Sequence, residues 1–93
     1  MNNVNILLEK TFIEKSIIEL KRRPDKLSLV RDNINTTLKA ENISENTYKH
    51  LDELKVIIEN SDNNIHSIEK WITNKNRNPK GYKNWVLAFK NLT

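Results

Sequence analysis

Apolar residues recur along this chain at the three-to-four-residue interval of a helix, not at the two-residue alternation of a half-buried strand. Leu27, Val30, Ile34 and Leu38 stand at i, i+3, i+7 and i+11, which predicts a helix from Asp25 or Lys26 to about Ala40 with one inward face. Tyr48, Leu51, Leu54, Ile57 and Ile58 predict another through Glu59, with Ser44 as its N-cap. Ile65, Ile68 and Ile72, with Trp71 beside the last, predict a short helix to about Thr73 whose outward side carries Asn64, His66, Ser67, Glu69, Lys70 and Thr73. Tyr82, Trp85, Val86 and Phe89 share a face of a closing helix, announced by Asn78 as N-cap and Pro79 at the first helical position.

The opening helix, Asn3 to about Arg23, has a different pattern. Ile6, Leu7, Leu8, Phe12, Ile13, Ile17, Ile18 and Leu20 cover more than one stripe, which predicts packing on two sides, one the core and the other a second copy of the chain. Pro24 forbids continuation, and Lys21, Arg22 and Arg23 suit the negative end of the helix dipole.

One glycine and two prolines leave little turn chemistry for a sheet, so the fold class is all-α, about five helices with a helix-turn-helix in the C-terminal half. The polar run Ser61-Asp62-Asn63-Asn64 separates the third and fourth helices, and Asn63 or Asn64 can cap the fourth. At 93 residues there is room for one domain with one modest core: residues 1–40 as dimerisation helices, and residues 44–93 as the helix-turn-helix and closing helix. Helical spacing commits Trp71, Tyr82, Trp85 and Phe89 to a hydrophobic seal rather than to a base-stacking platform.

Charge changes the picture. From His66 onward Lys70, Lys75, Arg77, Lys80, Lys83 and Lys90 face Glu69 alone, so a chain of net charge +4 gathers its whole surplus there. A nucleic-acid binder concentrates cations in this way because each neutralised phosphate releases counterions, although a solvated basic tail reads the same.

Ser67-Ile68-Glu69-Lys70-Trp71, followed by Asn74-Lys75, Arg77 and Pro79, resembles the recognition helix and following loop of lambdoid phage repressors and the wider XRE-type helix-turn-helix family, over about a fifth of the chain. The resemblance puts Ile68 at the buried centre of the recognition helix, Trp71 at the apolar place that follows, and Asn74 where a glycine usually ends the helix in the left-handed conformation. It implies base-edge contacts from His66 and Lys70, with Ser67 and Asn64 near the backbone or an adjacent base, and phosphate contacts from Thr73, Lys75 and Arg77, extended by Lys80 and Lys83. The chain departs from the family at Ile58 and Asp62, where a small residue and a glycine usually let the two helices cross closely. Its opening helix has no counterpart there.

Other classes find little support. There is no cysteine, so thiolate metal sites, disulfides and cysteine nucleophiles are excluded. His50 and His66 have no partner at metal-ligand spacing, and His50 reads as an exposed helix residue. No catalytic residue, metal, cofactor or small-molecule substrate is expected, nor an enzyme. The apolar runs are too short for a membrane span or a signal peptide, which points to the cytoplasm. Abundant Asn, Lys and Ile suggest an A/T-rich genome such as that of a phage or mobile element. The expected partners are double-stranded DNA, at an operator (transcription regulation) or a replication origin, and a second copy of the chain as a homodimer. The chain reads equally as the DNA-binding portion of a longer protein. The competing reading is a small helical protein-interaction module of the immunity, anti-defence or antitoxin-like adaptor kind, with a basic end that serves solubility.

Overall fold

Pro24 has no N–H to give the ladder, so the first helix closes with the Arg23 N–H donating to the Glu19 carbonyl at 2.8 Å. In this computed structural model, which describes residues 2–74 and 81–92, that helix is α1 (Asn2–Arg22). Pro24–Lys26 then forms a 3-10 turn, which delays α2 (Leu27–Leu38) past the predicted start; α2 also ends two residues before Ala40. α3 (Glu45–Asn60) begins at the predicted cap, where the Ser44 Oγ accepts from the Thr47 N–H at 3.1 Å. α4 (Ile65–Asn74) is capped by Asn64, whose Oδ1 accepts from the Ser67 N–H at 3.0 Å. α5 (Tyr82–Ala88) closes the chain. The Asn78 cap and the Pro79 start lie outside the described residues. The fold is all-α, and among the described residues there is no strand.

α5 is the shortest helix, yet α1, α2 and α3 all pack on it. Its composition explains that. Tyr82, Trp85, Ala88 and, just past its end, Phe89 and Leu92 are buried against Ile13, Ile17 and Leu20 of α1, Val30 and Ile34 of α2, and Leu51, Leu54 and Ile58 of α3. Trp71 of α4 and Trp85 of α5 lie with ring centroids 5.4 Å apart and planes tilted by 47°, and Tyr82 stands 5.9 Å from Trp85, so the predicted seal is present. Gly81 makes this possible. A Cβ there would meet the Trp85 indole at 3.2 Å, so the ring lies where any other side chain would intrude.

The last residues are held by side chains from the N-terminal half. Asn33 donates from its Nδ2 to the carbonyls of Ala88 at 2.9 Å and Lys90 at 3.0 Å, and the Lys26 ammonium donates to both the Leu92 carbonyl and the Glu19 carboxylate. These bonds satisfy carbonyls that the end of α5 leaves open.

Two expectations for α3 fail for one geometric reason. Leu51, Leu54 and Ile58 set its inward line, and the position that continues the line backward is 47, not 48. Tyr48 is therefore 47% exposed rather than inward, and Ile57 is only half-buried. His50, expected to be exposed, is half-buried against α5.

Candidate nucleic-acid interface

α4 presents one buried line, Ile68 and Ile72, and the amphipathic period predicts what the opposite side carries. His66, Ser67, Lys70, Thr73 and Asn74 are all exposed, and the His66 side chain keeps 82% of its surface in solvent. His66, Ser67, Lys70 and Thr73 are thus open to solvent, whereas Glu69, expected outward with them, is half-buried because it turns to Lys21 of α1. Lys83, on the exposed side of α5, is open as well. Lys75, Arg77 and Lys80 lie outside the described residues.

Two members of the outward set have other duties. The Asn64 side-chain oxygen is taken by the cap on the Ser67 N–H, which leaves only its Nδ2 for an outside acceptor. Glu69 is half-buried: its Oε1 lies 2.8 Å from the Lys21 ammonium of α1 and 3.8 Å from His66 Nδ1. That bridge ties the row to α1 and offsets a carboxylate that would otherwise repel phosphate.

The connection to α3 is the turn from Ser61 to Asn64, in which Asp62 and Asn63 adopt left-handed φ of 55° and 64°. Both are short polar residues that tolerate this conformation. Asn74 does not end the helix in that conformation: it is the last helical residue of α4, and besides the two turn residues only Asn91 has positive φ among the described non-glycine residues. α4 packs more extensively on α1 than on α3.

Beside the α1–α4 contact runs a half-open cleft of about 360 Å³. Ile17 and Ile72 form its floor, while Lys10, Glu14, Glu69 and Thr73 form its rim. Burial, with the Glu14 charge nearby, pushes the Tyr82 hydroxyl's pKa up, so the phenol lining this cleft stays neutral.

Sequence reasoning missed the polar contact between α3 and α5. Ser44 Oγ donates to Thr47 Oγ1 at 2.8 Å, Thr47 donates to Asn84 Oδ1 at 2.9 Å, and the Asn84 amide meets His50 Nδ1 at 2.6 Å. The amide N–H donates there, so the imidazole accepts at Nδ1 and carries its proton on Nε2. Trp85 Nε1 adds a bond to the His50 carbonyl at 3.2 Å. The available signal was Asn84 itself, an uncharged polar residue between Lys83 and Trp85 in the closing helix. Among the described residues every buried side-chain polar atom has a partner, and no group of His, Cys, Asp or Glu has the arrangement of a metal site.

Comparison of the chain with protein-family models, with curated proteins and with solved structures found no match. Among the described residues no helix is long and apolar enough to cross a membrane.

Proposed function

We propose that this chain binds double-stranded DNA in a sequence-specific manner, with α4 lying in the major groove at an operator or a replication origin. The observation that carries the reading is the exposed row His66, Ser67, Lys70 and Thr73 on a helix whose other side is anchored by Ile68 and Ile72. In this arrangement Lys70 reads guanine O6 and N7, and His66 contacts the neighbouring base edge. Ser67, Thr73 and Lys83 take the backbone together with Lys75, Arg77 and Lys80, and the free Nδ2 of Asn64 reaches an acceptor at the groove edge. The positive end of the α4 dipole favours a phosphate beside Ile65 or His66.

Selection of bound sequences from random duplex DNA, followed by salt titration on the winner, tests this reading. The expected result is a consensus site and an affinity that falls steeply as salt rises. Lys70→Ala and His66→Ala are expected to cost roughly 1–3 kcal/mol on that site with little loss on random DNA, whereas Lys83→Ala weakens both alike. No consensus and no salt dependence would sink the assignment.

The second reading, a helical protein-interaction adaptor, is favoured by one observation: the large apolar side chains that α1 exposes. It predicts capture of a protein partner with weak salt dependence and no selected DNA.

A further inference from the structure

Leu7 and Leu8 are each 63% exposed, Ile18 is 58% exposed and Phe12 40%, all on α1, while Ile13, Ile17 and Leu20 on its other side are at most 3% exposed. One helix thus leaves four large apolar side chains in solvent opposite the side it buries. At 100° per residue, Leu8, Thr11, Lys15, Ile18 and Arg22 form a single stripe with the 3-4-3-4 intervals of a heptad seam, and Leu7 and Phe12 border its early part. α4 packs on one flank of α1, marked by the Lys21–Glu69 bridge and by the cleft that Ile18 borders together with Glu69 and Thr73, while among the described residues Leu7, Leu8 and Ile18 keep most of their surface in solvent.

We infer that this stripe is the contact between two copies of the chain, with the two α1 helices packed antiparallel about a two-fold axis. Its layout selects that occupant. Leu8 and Ile18 flank a polar middle, Thr11 and Lys15, and Arg22 stands beyond Ile18 at the C-terminal end. An antiparallel copy brings Leu8 of each chain onto Ile18 of the other, lets Phe12 approach Phe12 at the border, and sets each Lys15 against a Thr11. A parallel copy would instead stack Lys15 on Lys15 and Arg22 on Arg22, and bring together the two Lys21-Arg22-Arg23 ends. Like charges and aligned dipoles disfavour that arrangement.

Size sets the strength. Twenty-one residues at about 1.5 Å rise make α1 about 31 Å long. Two such helices in contact hide on the order of 1,000 Å² in total, near the lower bound of specific interfaces. An interface of that size with polar Lys15 at the centre of its seam is expected to be a weak one.

The chain contains no cysteine, which makes the test clean. Sedimentation velocity on the full chain, without DNA, is expected to show a monomer–dimer equilibrium across micromolar concentrations. Ile18→Glu is expected to give monomers of unchanged helicity, and Lys15→Leu to tighten the dimer by about tenfold, as burial of a leucine in place of an ammonium requires. Under mild oxidation a mixture of Leu8→Cys and Ile18→Cys chains should form the mixed disulfide, while Leu8→Cys alone should not cross-link. A wild-type chain that stays monomeric throughout, an Ile18→Glu chain that still dimerises, or efficient cross-linking of Leu8→Cys to itself would overturn the proposal. DNA plays no part in these measurements, so their outcome is separate from that of the DNA-binding reading.

Discussion

The outer side of α1 and the contact between α3 and α5 invert the usual placement of residue types. On α1, Leu7, Leu8 and Ile18 face solvent; between α3 and α5, Thr47, His50 and Asn84 are drawn into the protein and bonded to one another. The second region is complete within one chain. Asn84, 4% exposed, has both ends of its amide engaged, so nothing there calls for an outside group. The first is incomplete, because no described element covers it. A buried polar residue with all its bonds made indicates architecture, whereas an exposed apolar row indicates a surface that awaits something, and only the latter bears on partners.

The sharpest way to break this comparison is Asn84→Ala. The substitution leaves the Thr47 hydroxyl without its acceptor and His50 Nδ1 without its donor at a half-buried junction, and an unmet buried group costs about 1–3 kcal/mol. We expect a loss of about 2–3 kcal/mol in urea unfolding, with a visible change in Trp85 fluorescence since that ring bonds the His50 carbonyl. A loss under about 0.5 kcal/mol would mean that water reaches the junction freely, and the contrast with α1 would lose its force.

The helices and most of the core were legible in the sequence because helical periodicity and capping are local. Ser44 and Asn64 act as caps where short polar residues preceded apolar runs, and Leu27, Val30 and Ile34 bury as their spacing demanded. What local pattern could not supply came from long-range contacts and from register. His50 was misread because its partner lies 34 residues away on α5, and no local rule links a helix histidine to a distant asparagine. Tyr48 and Ile57 fall off the line that Leu51, Leu54 and Ile58 set, so there the register within one helix decides. The Lys21–Glu69 bridge, which draws α4 toward α1, joins positions 48 apart and left no trace in either segment's pattern. Of the candidate site, the outward row was legible as one face of a short amphipathic helix, while the double duty of Asn64 was not, since cap and contact call for the same residue type.

That ambiguity yields the next largest prediction. Asn64→Ala removes the acceptor of the Ser67 N–H and is expected to cost about 1 kcal/mol of stability, and Asn64→Asp to keep it, because the carboxylate also caps and favours the helix N-terminus. On DNA the two part ways. Asn64→Asp keeps the fold but replaces a donor with an anion, so weakened binding by that variant separates a contact from a cap.

A smaller effect concerns the clasp that holds the C-terminal residues. A hydrogen bond from Lys26 holds the Glu19 carboxyl below the ordinary carboxylate value, and Arg22 and Arg23 add to this against a desolvation that works the other way. A lowered folded-state pKa means that the unfolded chain binds the proton first, so the stabilisation is full above the ordinary value and is lost as pH falls through Glu19's own lower one. Stability curves measured from pH 6 down to 2 should therefore fall less steeply for Glu19→Gln than for wild type. Identical acid limbs would remove Glu19 from the account of how Leu92 is held.

The smallest effect sharpens the comparison from the other side. If the outer row of α1 does nothing for the monomer, Ile18→Gln at concentrations too low for association should alter unfolding by no more than about 0.5 kcal/mol, because a residue 58% exposed has little left to lose. The same substitution at high concentration should destabilise, by the share of stability that mass action draws from the dimer. A loss near 2 kcal/mol at low concentration would mean that Ile18 is held by its own chain, through packing on the cleft floor beside Ile17 and Ile72. The α1 surface would then be as complete as the α3–α5 contact. A loss that grows with concentration instead locates its missing half in another molecule.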